Sequence, residues 1–326
     1  MSGKLNKNKF LEILNRFYLW IVLIVAILFF SIASPAFMTW RNLTNIFVQN
    51  TYLIIATIGI MLIMISGGAD LSVSYQMGLA SVVMGKMLKS GVPTVWVVIT
   101  GLAVGIFLGF INGYFTVLLK VHPMVTTLAT MTIFQGVAWV ISGQLAFSGF
   151  PESFKWIGQH YFFGLIPVSF VIMLVMVALA YFMLNKTYFG RYIYALGGNE
   201  EAARLAGVNT KKMRILTFVV SGFFVGVATI VFTSRMGSAA PGLASEAMFT
   251  CFSACVLGGI SFRGGEGKVG GVVLGVFIFG VLSTGLQLIG LSIYTQYIVK
   301  GILLVAAIAF DNFQKTAQGR SLSSSL

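Results

Sequence analysis

The acidic residues are few, and one of them stands where chemistry is expensive. Asp70 lies in Ile65-Ser-Gly-Gly-Ala-Asp-Leu-Ser-Val-Ser74, between two long apolar runs. If those runs cross a membrane, an ionisable group there marks a substrate or ion pathway. The same residue follows Gly67-Gly68 and precedes a new run, which is where a carboxylate caps a helix N-terminus. The two readings are compatible, since a capped break that lines a cavity is still a pathway element. Ser66, Ser72, Ser74, Gln76, Asn112, Thr126, Thr127 and Gln135 add hydroxyls and amides among apolar neighbours. Such groups can hydrogen-bond a polyhydroxylated solute without burying charge, or tie helices together at about 0.6 kcal/mol each. Asp70, Ser72, Ser74, Asn112, Thr126 and Thr127 are the candidate translocation-pathway residues.

Catalytic and metal chemistry finds little support. His122 has no second His or carboxylate at ligand spacing, and Cys251 and Cys255 lie four apart in an apolar stretch with no nearby His. The nearest approach to a phosphate loop is Gly264-Gly-Glu-Gly-Lys268. Phe262 stands where its first Gly is required, and Val269 where Ser or Thr must hold magnesium. Any use of ATP and magnesium therefore belongs to a partner, and no cofactor or metal site is expected in this chain.

The elements that must position these residues follow from composition. Of 326 residues 58% are hydrophobic and only 9% are charged, with a mean hydropathy of +0.95. A soluble domain carries about 25% charged residues, so this is an integral membrane protein. Runs long enough for a bilayer helix, about 20 residues, fall near 17–33, 45–66, 71–88, 93–119, 123–142, 165–185, 215–234, 246–261, 269–290 and 293–310. They are continuously apolar rather than alternating, which predicts an all-α polytopic transmembrane bundle of about ten segments and not a barrel. The third and eighth are short or interrupted and could be re-entrant. Gly101, Gly105, Gly109 and Gly113 share one helix face, as do Gly267, Gly271 and Gly275, a pattern that lets helices pack closely in lipid.

The net charge of +13 has a use here other than nucleic acid, because no nucleic-acid module accompanies it. Most of the Lys and Arg residues fall between the runs on one side. By the positive-inside rule that side is cytoplasmic, with both termini on it. The expected organisation is a cytoplasmic tail at 1–16, a transmembrane domain at 17–310 with a cytoplasmic loop at 186–214, and a cytoplasmic tail at 311–326. Val256-Leu-Gly-Gly-Ile-Ser-Phe-Arg-Gly-Gly265 looks like a second version of the Asp70 segment. The two are either a weak internal repeat of Gly-interrupted helices, as in many transporters, or ordinary Gly-rich turns.

The longest polar stretch, 185–214, is too short to fold a nucleotide-binding domain. Asn199 can cap a short helix whose first turn carries Glu200 and Glu201, and Gly207 can end it. Ala202, Ala203, Leu205 and Ala206 keep one side small and apolar, with nothing obvious in the chain to bury against. Such a helix either docks a partner or lies on the bilayer.

Gly190-Arg-Tyr-Ile-Tyr-Ala-Leu-Gly-Gly-Asn-Glu-Glu-Ala-Ala-Arg-Leu-Ala-Gly-Val-Asn209 resembles the coupling loop of the ribose-type permeases of bacterial ATP-binding-cassette importers. Ser66 to Val73, Thr126 to Thr130, Val256 to Gly267 and Gln296 to Gly301 are similar to the same family in the same order. The resemblance covers nearly the whole chain. It implies a cytoplasmic ATPase, an extracytoplasmic solute-binding protein, a second permease subunit in a homodimer or a pair of different permeases, and the bacterial cytoplasmic membrane. It assigns Glu200, Glu201, Ala202, Ala203, Arg204 and Gly207 to ATPase coupling, and Asp70 and Ser72 to the pathway. One departure stands out: the family's Glu-Leu-Asp-Ala-Ile-Ala-Ala run is replaced by Met248-Phe-Thr-Cys-Phe-Ser-Ala254, with Glu246 upstream.

The expected function is thus the membrane subunit of an ATP-driven importer for a monosaccharide, with another polar solute, such as a nucleoside or a sugar-derived signal, as the alternative. An ion-coupled transporter would need more intramembrane carboxylates or a His relay than Asp70 and Glu246 supply. A channel would need a charged ring or filter, and an enzyme a nucleophile–base pair; neither is visible.

Overall fold

The computed structural model describes residues 2–306 and 309, with side chains from Phe17 onward. The proposed tail at 311–326 and the side chains of 1–16 lie outside the described residues. Ten helices match the ten apolar runs: α1 (Ser2–Ala33), α2 (Trp40–Ile65), α3 (Val73–Lys89), α4 (Thr94–Leu119), α5 (Pro123–Ser142), α7 (Val168–Lys186), α10 (Thr210–Met236), α11 (Ala247–Leu257), α12 (Val269–Leu288) and α13 (Ile293–Ala306). Three further helices lie in the connections: α6 (Glu152–Gln159), α8 (Tyr188–Gly198) and α9 (Glu200–Leu205). Two small antiparallel ladders cap one end of the bundle. Phe147–Ser148 pairs with Ser238–Ala239, and Tyr161–Phe162 with Ile166–Pro167.

Among the described residues, six helices are long and apolar enough to cross a bilayer. At the centre α2 and α10 run antiparallel, with Tyr52 stacked on Phe232 at 4.1 Å and Gly59 against Ser221. The predicted glycine faces are where helices touch, except that Gly267 precedes α12 and is not part of its face. A Cβ at Gly109 would lie 2.3 Å from the Phe218 carbonyl oxygen of α10, and one at Gly271 2.1 Å from that of Gly258. Both contacts are backbone against backbone, so packing at these sites depends on the absence of a side chain.

The third run is helical from Val73 onward, and the eighth only over Ala247–Leu257. α11 has 11 residues and is about 16 Å long, far short of the roughly 30 Å hydrocarbon core. α3 starts after a largely buried non-helical stretch at 66–72, and α11 after a more exposed one at 237–246. Their N-termini meet: Ser74 Oγ accepts from the Met248 amide at 2.8 Å and donates to the Ser245 carbonyl at 3.3 Å. Around them the packing repeats upside down. α4 covers α10 as α12 covers α2, and α3 lies beside α5 as α11 lies beside α13.

This inverted relation pairs the helices differently from the two Gly-Gly stretches. Ser66-Gly67-Gly68 ends α2, and Gly258-Gly259-Ile260 ends α11, at the same end of the bundle. The two share a local C-cap: the Gly68 amide donates to Ile63 O and the Ile260 amide to Cys255 O, both at 3.0 Å. Gly67 and Gly259 take φ of +81° and +80°, the left-handed cap that favours glycine. Their likeness is that of two Schellman turns, shifted by one residue from the alignment of the Gly-Gly pairs.

Candidate translocation and coupling sites

Asp70 lies at the foot of α3 in a buried polar network. Its Oδ1 accepts from the Ser72 amide (2.8 Å) and hydroxyl (2.6 Å), and its Oδ2 from Gln76 Nε2 (2.8 Å). Asn112 of α4 donates to Ser72 Oγ at 2.8 Å, and Thr130 of α5 donates to Asn112 Oδ1 at 2.6 Å. Thr127 closes the other flank, accepting from the Leu71 amide and donating to the Ala69 carbonyl. Four of the six candidate pathway residues are thereby joined: Asp70, Ser72, Asn112 and Thr127. Ser74 instead ties α3 to α11, and Thr126 is buried with its Oγ1 unpaired. All six are at most 5% exposed, and none lines the cavities described next. The network holds the non-helical segment 66–72 against α4 and α5. Breaking one of its bonds while leaving the partner buried costs about 1–3 kcal/mol.

An open cavity of about 310 Å³ lies between the two inverted halves, toward the end with the strand ladders. Its wall carries Asn50 and Tyr52 of α2, Arg235 of α10, Thr250 of α11 with Glu246 just before it, and Gln296 and Lys300 of α13. Tyr297 donates to Glu246 Oε1 beside it. Arg235 and Lys300 make no ion pair with Glu246 among the described residues. Polar donors and acceptors surrounding an aromatic face suit a hydroxylated solute. Sequence reasoning missed this set, although Lys300 lay inside an apolar run, a placement that flags function by itself.

At the opposite end the 186–214 loop folds onto the bundle. Asn199 caps α9, accepting from the Ala202 amide at 2.9 Å, and Gly207 takes φ +86° to end it, both as anticipated. Glu200 accepts from Arg214 Nη2 at 2.6 Å and Glu201 from Arg204 Nη2 at 2.5 Å. The expectation that α9 has nothing of its own to pack against needs correction. Ala203 is 5% exposed and faces its own chain, while Ala202, Leu205 and Ala206 point outward, Leu205 at 79% exposure. One glycine explains how the loop reaches the bundle. A Cβ on Gly197 would lie 1.8 Å from Ile65 O and 2.5 Å from the Gly265 amide nitrogen. That amide donates to Ile65 O at 2.8 Å. The 186–214 loop, the end of α2 and the 263–265 turn therefore meet backbone on backbone, one step from the Asp70 network.

Comparison with known proteins gives this geometry its class. Residues 42–308 match the family described as the permease component of the branched-chain amino acid transport system. The chain belongs to this family. It is also 35% identical to the galactose/methyl galactoside import permease protein MglC of Escherichia coli, over 95% of this chain and 98% of that one. The ribose import permease proteins RbsC of Haemophilus influenzae and Bacillus subtilis are 36% and 34% identical, over 91% and 89% of this chain and 93% and 90% of theirs. No solved structure gives a significant match. The permease is accordingly a multi-pass membrane subunit and not an enzyme, and importers of this class take their energy from a partner ATPase and their solute from a binding protein.

The two polar sites draw on different elements. The cavity is lined from α2, α10, α11, α12 and α13, whereas the residues that hold the break come from α3, α4 and α5, with Gln76 Oε1 left unpaired among them.

Proposed function

We propose that this permease imports a monosaccharide, or a polar solute of similar size and hydroxylation, in two steps governed from opposite ends. The observation that carries the reading is the polar cavity between the inverted halves, with the relatives' names for galactose and ribose import beside it. The solute, delivered by a binding protein, enters between Asn50, Arg235, Glu246, Gln296 and Lys300. ATP binding on the partner acts through α9 on the junction at Gly197. Movement there shifts the end of α2 and the segment 66–72, whose Asp70, Ser72, Asn112 and Thr127 form the hinge of the pathway, with Ser74 and Thr126 at its edges. Glu200, Glu201, Ala202, Arg204 and Gly207 shape the coupling helix, and Ala203 seats it.

The basic residues crowd the loop end of the bundle, so this end faces the cytoplasm of a bacterium, both termini lie there, and the ladder end faces outward. Glu246 and Tyr297 stand exposed on the flank of the bundle beside the cavity. A second copy of the permease covers this flank, because a carboxylate facing lipid is costly. The test is uptake of labelled ribose, galactose and a nucleoside into proteoliposomes, with and without the ATPase and binding protein. ATP-dependent uptake of one sugar is the expected result. Uptake driven by an ion gradient alone would overturn the importer reading, and uptake of the nucleoside alone would overturn the sugar.

A further inference from the structure

A second cavity, of about 370 Å³, opens at the loop end between the α4–α5 turn and the start of α10. It is strongly basic. Lys120, Lys211, Arg214 and His122 line it, and the single acid in its wall is Glu200, already bonded to Arg214 Nη2. The other terminal guanidinium nitrogen, Arg214 Nη1, is buried and has no hydrogen-bond partner among the described residues. Lys120 and Lys211 are exposed and form no ion pair among the described residues. His122 Nδ1 accepts from the Met124 amide at 3.3 Å, so the neutral ring carries its proton on Nε2, as a further donor. The cavity thus presents cations and donors in excess of any acceptor in its wall.

Its surroundings say what kind of anion fits. α4 and α5 are peripheral, and Leu118, Leu119, Val121 and Val125 beside the cavity are exposed apolar residues. Lipid tails must cover those side chains, which puts the cavity at headgroup depth. Basic pockets between membrane helices at this level take acidic lipid headgroups. We propose that this cavity binds the phosphate headgroup of an anionic phospholipid from the adjoining leaflet, with Lys120, Lys211 and Arg214 Nη1 holding the phosphate and the tails lying against Val121. The site touches both Glu200, the first residue of α9, and Gly67 at the end of α2, so an occupying lipid would brace the coupling loop against the break.

The test measures heat stability and lipid retention of the full-length chain at fixed ionic strength. It compares micelles containing phosphatidylglycerol, micelles containing phosphatidylcholine, and the latter with millimolar inorganic phosphate. Lys120→Gln with Lys211→Gln is the cavity variant. Lys186→Gln with Lys212→Gln removes the same charge from exposed positions at the same end, outside the cavity. Expected are stabilisation by phosphatidylglycerol alone and a roughly tenfold weaker apparent affinity in the cavity variant, with little change in the control. Equal losses in both variants would mean diffuse charge and overturn the site. Equal protection by inorganic phosphate would overturn the lipid. Loss of ATPase binding in the cavity variant with unchanged lipid retention would assign the cavity to an acidic segment of that partner and overturn the proposal as well.

Discussion

Replacing Gly197 by Ala tests whether the coupling loop drives the pathway through one junction. Gly197 has an ordinary negative φ, so alanine would be tolerated by the backbone there and would even favour helix. The cost is purely steric. The new methyl would stand 1.8 Å from Ile65 O, 2.5 Å from the Gly265 nitrogen and 2.9 Å from Ile65 C, and backbone on two sides leaves no flexible side chain to yield. Overpacking of this kind costs roughly 1–3 kcal/mol, equivalent to about a 5–150-fold shift between two conformations. Gly198 is the internal control, since a Cβ there meets nothing within 4 Å. The expected result is that Gly197→Ala inserts normally and still binds the ATPase through α9. Solute-stimulated hydrolysis and uptake should fall at least fivefold, and Gly198→Ala should match the parent. Hydrolysis and uptake would be measured together in proteoliposomes containing the whole importer. Parental coupling in Gly197→Ala would refute transmission through this contact.

The remaining expectations follow from the same geometry. Asp70→Asn should retain most transport, because its carbonyl can still accept from Ser72 and the unpaired Gln76 Oε1 can accept from the new amide. Asp70→Leu strands several donors and should halve the yield of folded protein or worse; equal yields of the two variants by gel filtration would contradict this. Leu205→Asp should weaken ATPase capture about tenfold, from the ~1.5–3 kcal/mol a buried Leu contributes, whereas Ala203→Trp should disturb the loop itself and lower stability. A pull-down with a melting curve separates the two. Lys300→Met should cut uptake about tenfold or more, for a lost charged hydrogen bond of ~1.5–3 kcal/mol, without altering ATPase capture; unchanged uptake would remove Lys300 from the pathway.

How much of this was legible in the sequence depends on whether the deciding contact was local. The helices were, because continuous apolar runs leave no other way to satisfy the backbone in lipid. The α9 cap was, because Asn199, the acids of its first turn and Gly207 act within a few residues of one another. Asp70 was found for its rarity, but the capping role does not hold: the N-cap of α3 is Ser72, and Asp70 accepts from that residue's own amide and hydroxyl and from Gln76. Its partners Asn112 and Thr130, however, arrive from two other helices. The orientation of Ala203 was hidden for the same reason: six residues of helix have two sides, and only the packed loop says which is inward.

The cavity escaped because its lining is spread from position 49 to position 300, and pairs at helical spacing such as Gln49–Tyr52, Glu246–Thr250 or Gln296–Lys300 join residues of one segment only, never across the segments that meet at the cavity. Inverted packing is what gathers it. Two half-helices start in mid-bundle, each leaves non-helical backbone behind it, and membrane proteins tolerate such backbone only where protein or a cavity covers it. The break at 66–72 is covered by the Asp70 network. The break at 237–246 leads straight to Glu246 and the cavity. One interruption is sealed by its own side chains and the other opens onto the cavity, so the pseudo-symmetry of the fold is broken at the two breaks.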